Sequence, residues 1–574
     1  MRIKKALFIF FVITPILFAQ SKSEKIDDLL SRYNEYGLLN GSVLVAEKGE
    51  VILKKGYGLA NMEFDIPNSE KTVHRIGSIT KQFVSTMIMQ LVEEGKIKVD
   101  EKMTTYLKDY RKETGDRVTI FHLLTHTSGI PSYTGSPGFW SDSSRNPYTT
   151  EELIEKFCMG DLEFEPGSKF AYNNSGYVLL GKIVEEVTGI TYEENIQKRI
   201  FDKIGMNNSY LDRPAKIIKN RASGYDSRGL GYVNTRYMDV INAFGAGDIA
   251  TTVEDLYLWD QALYTEKIIS EESKNKMFTP YLSNYGFGWG IDKIEHPADG
   301  DSLTMYSHGG GINGFNTHIS RTINDKILIV GLNNTGGAPW REIRKNITKI
   351  LYGKEYDYPK KPFANYIYEA ILEDGINEAL ATFKEIQDSE EEIFDISENK
   401  LNNLGYSFLG ENKFDEAIAV FQMNIDAFPK SFNVYDSMGE ALMKKGDNKK
   451  SIELYKKSVE LNPQNTNGFD MLKKLGVDIK QPEDAEVSEE TLKSYVGTFN
   501  LFPNFDIEIT TENGKLFTQA TGQPKFEVFP ETTTIFYLKV VQAKIEFFKE
   551  GDSVDKIILY QNGKEMPGKR IDKK

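Results

Sequence analysis

Apolar residues recur at helical spacing after Ser78, at Ile79, Phe83, Val84, Met87, Ile88, Leu91 and Val92. That pattern predicts a largely buried helix ending at Glu94-Gly95. Between about Lys25 and Tyr352, strand-like and helical stretches alternate. Gly41 to Leu53 predicts a hairpin turning at Lys48-Gly49, and Lys326 to Asn333 a buried strand. The section between them is mainly helical, with Gly- and Pro-rich loops such as Ser132 to Pro147. Strands at both ends of a helical middle predict one sheet assembled from the two ends of this region.

The pattern changes twice further on. From about Pro362 to Val477 it is helical with an internal period: Leu404-Gly405 matches Met438-Gly439, Ile418 matches Ile452, Phe421 matches Tyr455, and Pro429 matches Pro463. Each pair is 34 residues apart, the spacing of tetratricopeptide helix pairs. Ile376 to Phe383 resembles part of a degenerate earlier unit. Two readings stand side by side, a peptide-binding groove and a helical spacer packed on its neighbours. From about Val487 onward, short strand patterns such as Phe505–Ile509, Thr534–Val541, Lys544–Phe548 and Lys556–Tyr560 predict a small antiparallel sheet or barrel. The expected division is a signal peptide at 1–19, a first domain at 20–358, helical repeats at 359–480 and a small β domain at 487–574.

Composition narrows the choices. The 574 residues exceed what one core organises. Arg2, Lys4 and Lys5, the apolar run Ala6 to Phe18 and the small-residue site ending at Ala19 read as an export signal. An uncleaved anchor is the other reading, but the run is short for a span and contains Pro15. Export places the mature chain in the periplasm or outside the cell, with no membrane span. A net charge of -14 argues against nucleic acid as a partner. The single cysteine, Cys158, excludes an intrachain disulfide and reads as a buried small hydrophobe.

Ser78 and Lys81 bring chemistry into this frame. A serine hydroxyl needs a neighbouring base, and residues i and i+3 share a helix face. Ser-x-x-Lys recurs at Ser273/Lys276 and Ser553/Lys556, so the motif alone discriminates little, but only Ser78 opens a buried helix. Two further elements follow in order: Tyr172-Asn173-Asn174, and Ser307-His308-Gly309-Gly310-Gly311 before the final strand of the first region. His122 and His126 have the i, i+4 spacing of a metal pair, yet no Glu follows His122 and no third ligand is apparent. A structural role fits them better, and no metal or organic cofactor is expected.

This ordered set, with Phe121–Pro131, Phe164–Ser168, Gly245–Asp255 and Tyr285–Gly290, resembles the class C β-lactamase-like serine hydrolases. These include penicillin-binding proteins, D-alanyl-D-alanine carboxypeptidases, D-aminopeptidases and esterases. The resemblance covers Lys25 to Tyr352 and implies an α/β sandwich, an antiparallel sheet plus a helical section, with the active site between them. It implies Ser78 as acylated nucleophile, Lys81 polarising its hydroxyl, and Tyr172 as general base. Asn174, His308, Gly310 and Gly311 would bind substrate, with the Ser78 and Gly311 N–H groups as oxyanion hole. His308 stands where many members have lysine. A histidine is mostly neutral above about pH 6.5, which favours esters or amidated peptides over β-lactams. The terminal strands, beginning at Tyr495–Phe499, resemble a lipocalin-like appendage. The function expected is an exported serine hydrolase cleaving an amide or ester bond through a Ser78 acyl-enzyme, with D-amino-acid peptides, esters or β-lactam-like compounds as substrates and a protein or peptide partner for the repeats. The alternative is a binding or sensing protein on the same scaffold, acting through those repeats.

Overall fold

The computed structural model describes residues 20–228, 231–296, 300–389, 393–481, 483–502, 505–521, 523–541, 543–550, 553–561 and 564–571. The expected signal peptide lies outside them. The chain divides into two compact units, Met1–Ile396 and Ser397–Lys574.

The first unit is built on a six-stranded antiparallel sheet with strand order Gly290–Glu295, Ser302–Ile312, Phe315–Thr322, Ile327–Asn333, Gly41–Glu47, Glu50–Tyr57. Residues from the two ends of the region meet in its centre, where Gly41 pairs with Asn333 and Ala46 with Leu328. The hairpin turns at Lys48 and Gly49, both at positive φ, the geometry of a two-residue turn that matches strand twist. Alternation explains why the central strands are apolar throughout. Leu44, Ala46, Leu328, Val330 and Leu332 face the helical section, whereas Val43, Val45, Ile327 and Ile329 face the helices Lys22–Glu35 and Trp340–Leu351. A strand covered on both faces has no solvent side to carry polar residues.

The helical section rests on Thr80–Glu93 and Asn174–Thr188. The first is buried along almost its whole length, so it forms the centre of the section and not an amphipathic surface. Close backbone approaches lock it in place. A Cβ on Gly288 would lie 2.9 Å from both Lys81 O and Gln82 N. Cys158 is buried and free.

In the second unit the 34-residue period appears as paired helices, Glu398–Gly410 with Phe414–Ala427 and Phe432–Lys445 with Asn448–Leu461, followed by Thr466–Lys474. Gly405 and Gly439 explain the spacing. A Cβ would meet the Phe421 ring at 2.4 Å in the first pair and the Tyr455 ring at 3.2 Å in the second. The final segment closes an eight-stranded antiparallel barrel in which consecutive strands are neighbours. Its interior is filled by side chains including Phe499, Ile507, Phe536, Ile545 and Ile557.

Candidate active site

Ser78 lies in a 3-10 turn, Gly77–Ile79, that runs into the helix Thr80–Glu93. Gly77 makes the turn possible with φ at +51°, a region unfavourable to side-chain-bearing residues. Lys81, fully buried, then points back one turn. Its Nζ lies 3.1 Å from Ser78 Oγ, 2.9 Å from Asn174 Oδ1 and 2.7 Å from the Ala246 carbonyl. Asn174 begins the helix Asn174–Thr188, capped by Asn173, whose Oδ1 accepts the Gly176 N–H at 2.8 Å. Asn174 Nδ2 donates to Thr134 Oγ1 at 2.9 Å, which fixes its oxygen toward the lysine. Both ends of the Asn174 amide are thus engaged by the protein.

Counting protons shows why this arrangement suits catalysis. Ala246 O and Asn174 Oδ1 accept only. A neutral amine has two N–H groups for them and a lone pair left for Ser78, while an ammonium has three donors for the same three oxygens. The geometry would accommodate a proton moving from Ser78 to Lys81 with every heavy atom keeping its partner.

The strand Ser302–Ile312 supplies the opposite wall. Its pairing with Gly290–Glu295 ends at Ser307, so His308 to Ile312 present an open edge beside the nucleophile. Thr317 Oγ1 donates to Ile76 O at 2.9 Å, tying the sheet to the turn before Ser78. A Cβ on Gly310 would fall 1.9 Å from Ile76 O, whereas one on Gly311 meets nothing within 4 Å. Gly310 therefore packs against the nucleophile turn and Gly311 faces the cleft.

Tyr172, with its ring 4.9 Å from Lys81 Nζ, sits against His126 at 4.3 Å between ring centroids. Burial pushes its hydroxyl well above the ordinary tyrosine range, and the neighbouring Ser78 side chain acts more weakly in the opposite direction. Tyr172 lies deep among protein atoms yet is 40% exposed along the cleft, so water there offsets part of that upward push. Desolvation drives Lys81 well below its usual range. The helix dipole alone is worth about 1 kcal/mol, too little to neutralise a lysine. Full burial is the larger effect and was hidden from the sequence. Both directions favour a neutral amine beside a protonated phenol.

His308 is held by two contacts. One ring nitrogen, Nδ1, lies 2.6 Å from Gly309 O and so donates to it, which leaves Nε2 to accept from the Tyr285 hydroxyl at 2.9 Å. Burial is the main cause that brings its pKa down to about 4, so it is neutral at pH 7. Tyr285 and the Ala246 carbonyl were not singled out as site residues from the sequence, although both lie in the quoted phrases Tyr285–Gly290 and Gly245–Asp255. His126 is buried, accepting the Asn173 N–H at 3.0 Å, and His122 caps a helix start with Thr119. No cluster of metal-ligating side chains occurs among the described residues. Trp140 Nε1 donates to Thr134 O at 2.8 Å, bracing the loop that holds Asn174.

A serine–lysine pair at the start of a buried helix, under an open strand edge, defines a serine hydrolase of the β-lactamase fold. The chain belongs to the beta-lactamase family, whose profile matches residues 26–353. A tetratricopeptide repeat matches 432–465, and a domain of unknown function (DUF3471) matches 481–570. Penicillin-binding protein 4* of Bacillus subtilis is 30% identical over 401 residues, covering 64% of this chain and 87% of that protein. Teichoic acid D-alanine hydrolase of Staphylococcus aureus is 28% identical over 265 residues, 46% of this chain and 60% of that one. The octameric penicillin-binding protein homologue from Pyrococcus abyssi is 22% identical with a TM-score of 0.50, covering 95% of this chain and 99% of that chain. At that identity the likeness is one of fold.

Proposed function

We propose that the protein is an exported hydrolase that opens D-amino-acid esters and amides through an acyl-enzyme on Ser78. The observation that carries this reading is the Lys81 amine, fully buried and 3.1 Å from Ser78 Oγ, with only neutral oxygens around it. Ser78 Oγ attacks the substrate carbonyl as its proton moves to Lys81. The developing oxyanion is met by the N–H groups of Ser78 and Gly311, donors set in place before charge forms. Collapse expels the leaving group, which takes a proton from the Tyr172 phenol; the Lys81 proton then restores Tyr172. Water repeats the steps in reverse to free Ser78. This division of labour differs from assigning the base to Tyr172, and rests on the opposite pKa directions of the two groups.

Neutral His308 gives no fixed cation for a substrate carboxylate beside the scissile bond, which favours esters and amides over β-lactams. A relative named for D-alanine hydrolysis from teichoic acid supports D-alanyl esters as the first substrates to try. The penicillin-binding and D-alanine-hydrolase relatives also support an envelope location. Among the described residues no helix is long and apolar enough to cross a membrane.

Intact mass after treatment with a fluorophosphonate, for wild type and Ser78→Ala, tests the nucleophile. One adduct mapped to Ser78 and absent from the variant is expected, followed by turnover of D-alanyl esters above that of cephalosporins. A folded wild type that takes no adduct would refute the reading and favour a binding role for the repeats.

A further inference from the structure

The proton accounting at Lys81 depends on the Ala246 carbonyl, and a main-chain oxygen is only as well placed as the turn that carries it. That turn is Gly245–Asp248. Ala246 N–H and Gly247 N–H both donate to Ala243 O, at 2.9 and 2.7 Å, and Gly245 sits at φ +64°. The remaining constraint is Asp248, fully buried. Its Oδ1 accepts the Gly245 N–H at 3.2 Å and its Oδ2 accepts Arg213 Nη1 at 3.0 Å.

The same clamp reaches the other side of the nucleophile. Asp248 O accepts the Asp212 N–H at 2.8 Å. The Asp212 carboxylate takes Arg75 Nε at 2.6 Å and Arg221 Nη1 at 2.7 Å, and Arg75 lies three residues before Ser78. Ile76 N–H donates to Ile249 O at 3.0 Å, and Ile249 N–H to Thr80 Oγ1 at 3.2 Å. An uncharged asparagine would satisfy the Gly245 N–H without the desolvation that a buried ion pair costs.

We propose that Asp248, clamped by Arg213, is a positioning residue of the hydrolase, holding the Gly245–Asp248 turn so that the Ala246 carbonyl takes one Lys81 N–H and aims the amine at Ser78. This rests on the Ser78/Lys81 reading given above. The titratable groups facing Lys81 are Tyr172 and Tyr177, with rings 4.9 and 5.4 Å from Nζ, and His126 and His308, whose protonation it opposes. Those facing Asp248 are Arg213, Tyr192 and Tyr133. When the clamp loosens, the ammonium form loses a carbonyl acceptor, whereas the neutral amine loses less.

The test measures the rate of Ser78 labelling by a fluorophosphonate against pH, in the full chain and in Asp248→Asn, with melting temperatures alongside. Labelling is expected to slow about 10- to 100-fold, the cost of a mis-set catalytic group. The midpoint of its acidic limb is expected to move about one pH unit toward acid. For a D-alanyl ester, kcat should fall while KM holds. A folded Asp248→Asn protein with the wild-type limb overturns the proposal, even if it melts earlier, because a purely structural role moves stability alone. If Asp248→Asn does not fold, Arg213→Gln carries the same test: a displaced limb supports the clamp and an unmoved one refutes it. Failure of wild type to label Ser78 would instead sink the underlying reading, so the two failures are distinguishable.

Discussion

Replacing Gly310 by alanine probes the join between sheet and nucleophile. The added Cβ would lie 1.9 Å from Ile76 O and 2.3 Å from Thr317 Oγ1, both parts of the link that docks the strand on the turn before Ser78. Carbon–oxygen contacts relax only beyond 3 Å, so the strand edge must retreat by about 1 Å or Thr317 must swing away. Forced overpacking of this kind costs about 1–3 kcal/mol. The larger effect is on rate, since a 1 Å displacement of positioned groups costs about 10²-fold, and the Gly311 N–H moves with the edge. Gly311→Ala is the control, because its Cβ meets nothing within 4 Å and its N–H is kept. Steady-state kinetics on a D-alanyl ester and thermal melting should show Gly310→Ala slower and less stable, and Gly311→Ala as stable as wild type, with any penalty in KM. A Gly310→Ala protein matching wild type in melting temperature and kcat would refute the claim that this contact sets the geometry.

Three other outcomes follow from the site and from buried charged or titratable groups. Tyr172→Phe should cut amide hydrolysis by about 10²-fold or more, the usual scale of general acid–base catalysis, and leave p-nitrophenyl ester cleavage nearly intact, since that leaving group needs no proton; equal losses on both would contradict the assigned donor role. Buried His74 and His308 have pKa values lowered to about 4 from 6.5. The unfolded chain binds their protons first as pH falls, so stability is full above pH 6.5 and lost toward pH 4, about 2 kcal/mol each by pH 5; melting temperatures equal at pH 7.5 and 5 would exclude this. Arg321 and Asp260 form an ion pair at 2.6 Å with side chains 1% and 2% exposed. Arg321→Met should destabilise by about 3–5 kcal/mol, partly recovered by adding Asp260→Leu, as judged by denaturant unfolding; no recovery in the double variant would show that the unpaired carboxylate is not the cause.

Periodic and local features were legible in the sequence, and features arising from packing were not. The buried helix after Ser78, the hairpin at Lys48-Gly49 and the 34-residue helix pairs each leave a repeating trace in neighbouring residues. The sequence placed Ser78 at the start of a helix, and the structure puts it in a 3-10 turn before Thr80, a distinction carried by backbone angles that apolar spacing does not encode. Ser78, Lys81, Tyr172 and Asn174 are brought together. The desolvation of Lys81 depends on elements more than 90 residues away, such as those carrying Asn174 and Ala246, which no pattern among its sequence neighbours encodes. The Ala246 carbonyl was invisible for another reason: a main-chain oxygen has no residue type. His308 was expected to bind substrate, but its ring nitrogens are engaged by Gly309 and Tyr285, a tautomer decision that no spacing reveals.

The pairing of Gly41–Glu47 with Ile327–Asn333 also governs when this unit can assemble. Asn333 is added 292 residues after its partner Gly41, about 15 to 60 s later at ordinary translation speeds. Throughout that interval the first hairpin carries an apolar edge with no partner, and the helical middle emerges before the sheet it must rest on exists. Folding of the catalytic unit is thereby postponed until its last strand arrives. Under the export proposed above, such a chain would stay threadable through a narrow channel for as long as the strand Gly41–Glu47 must wait.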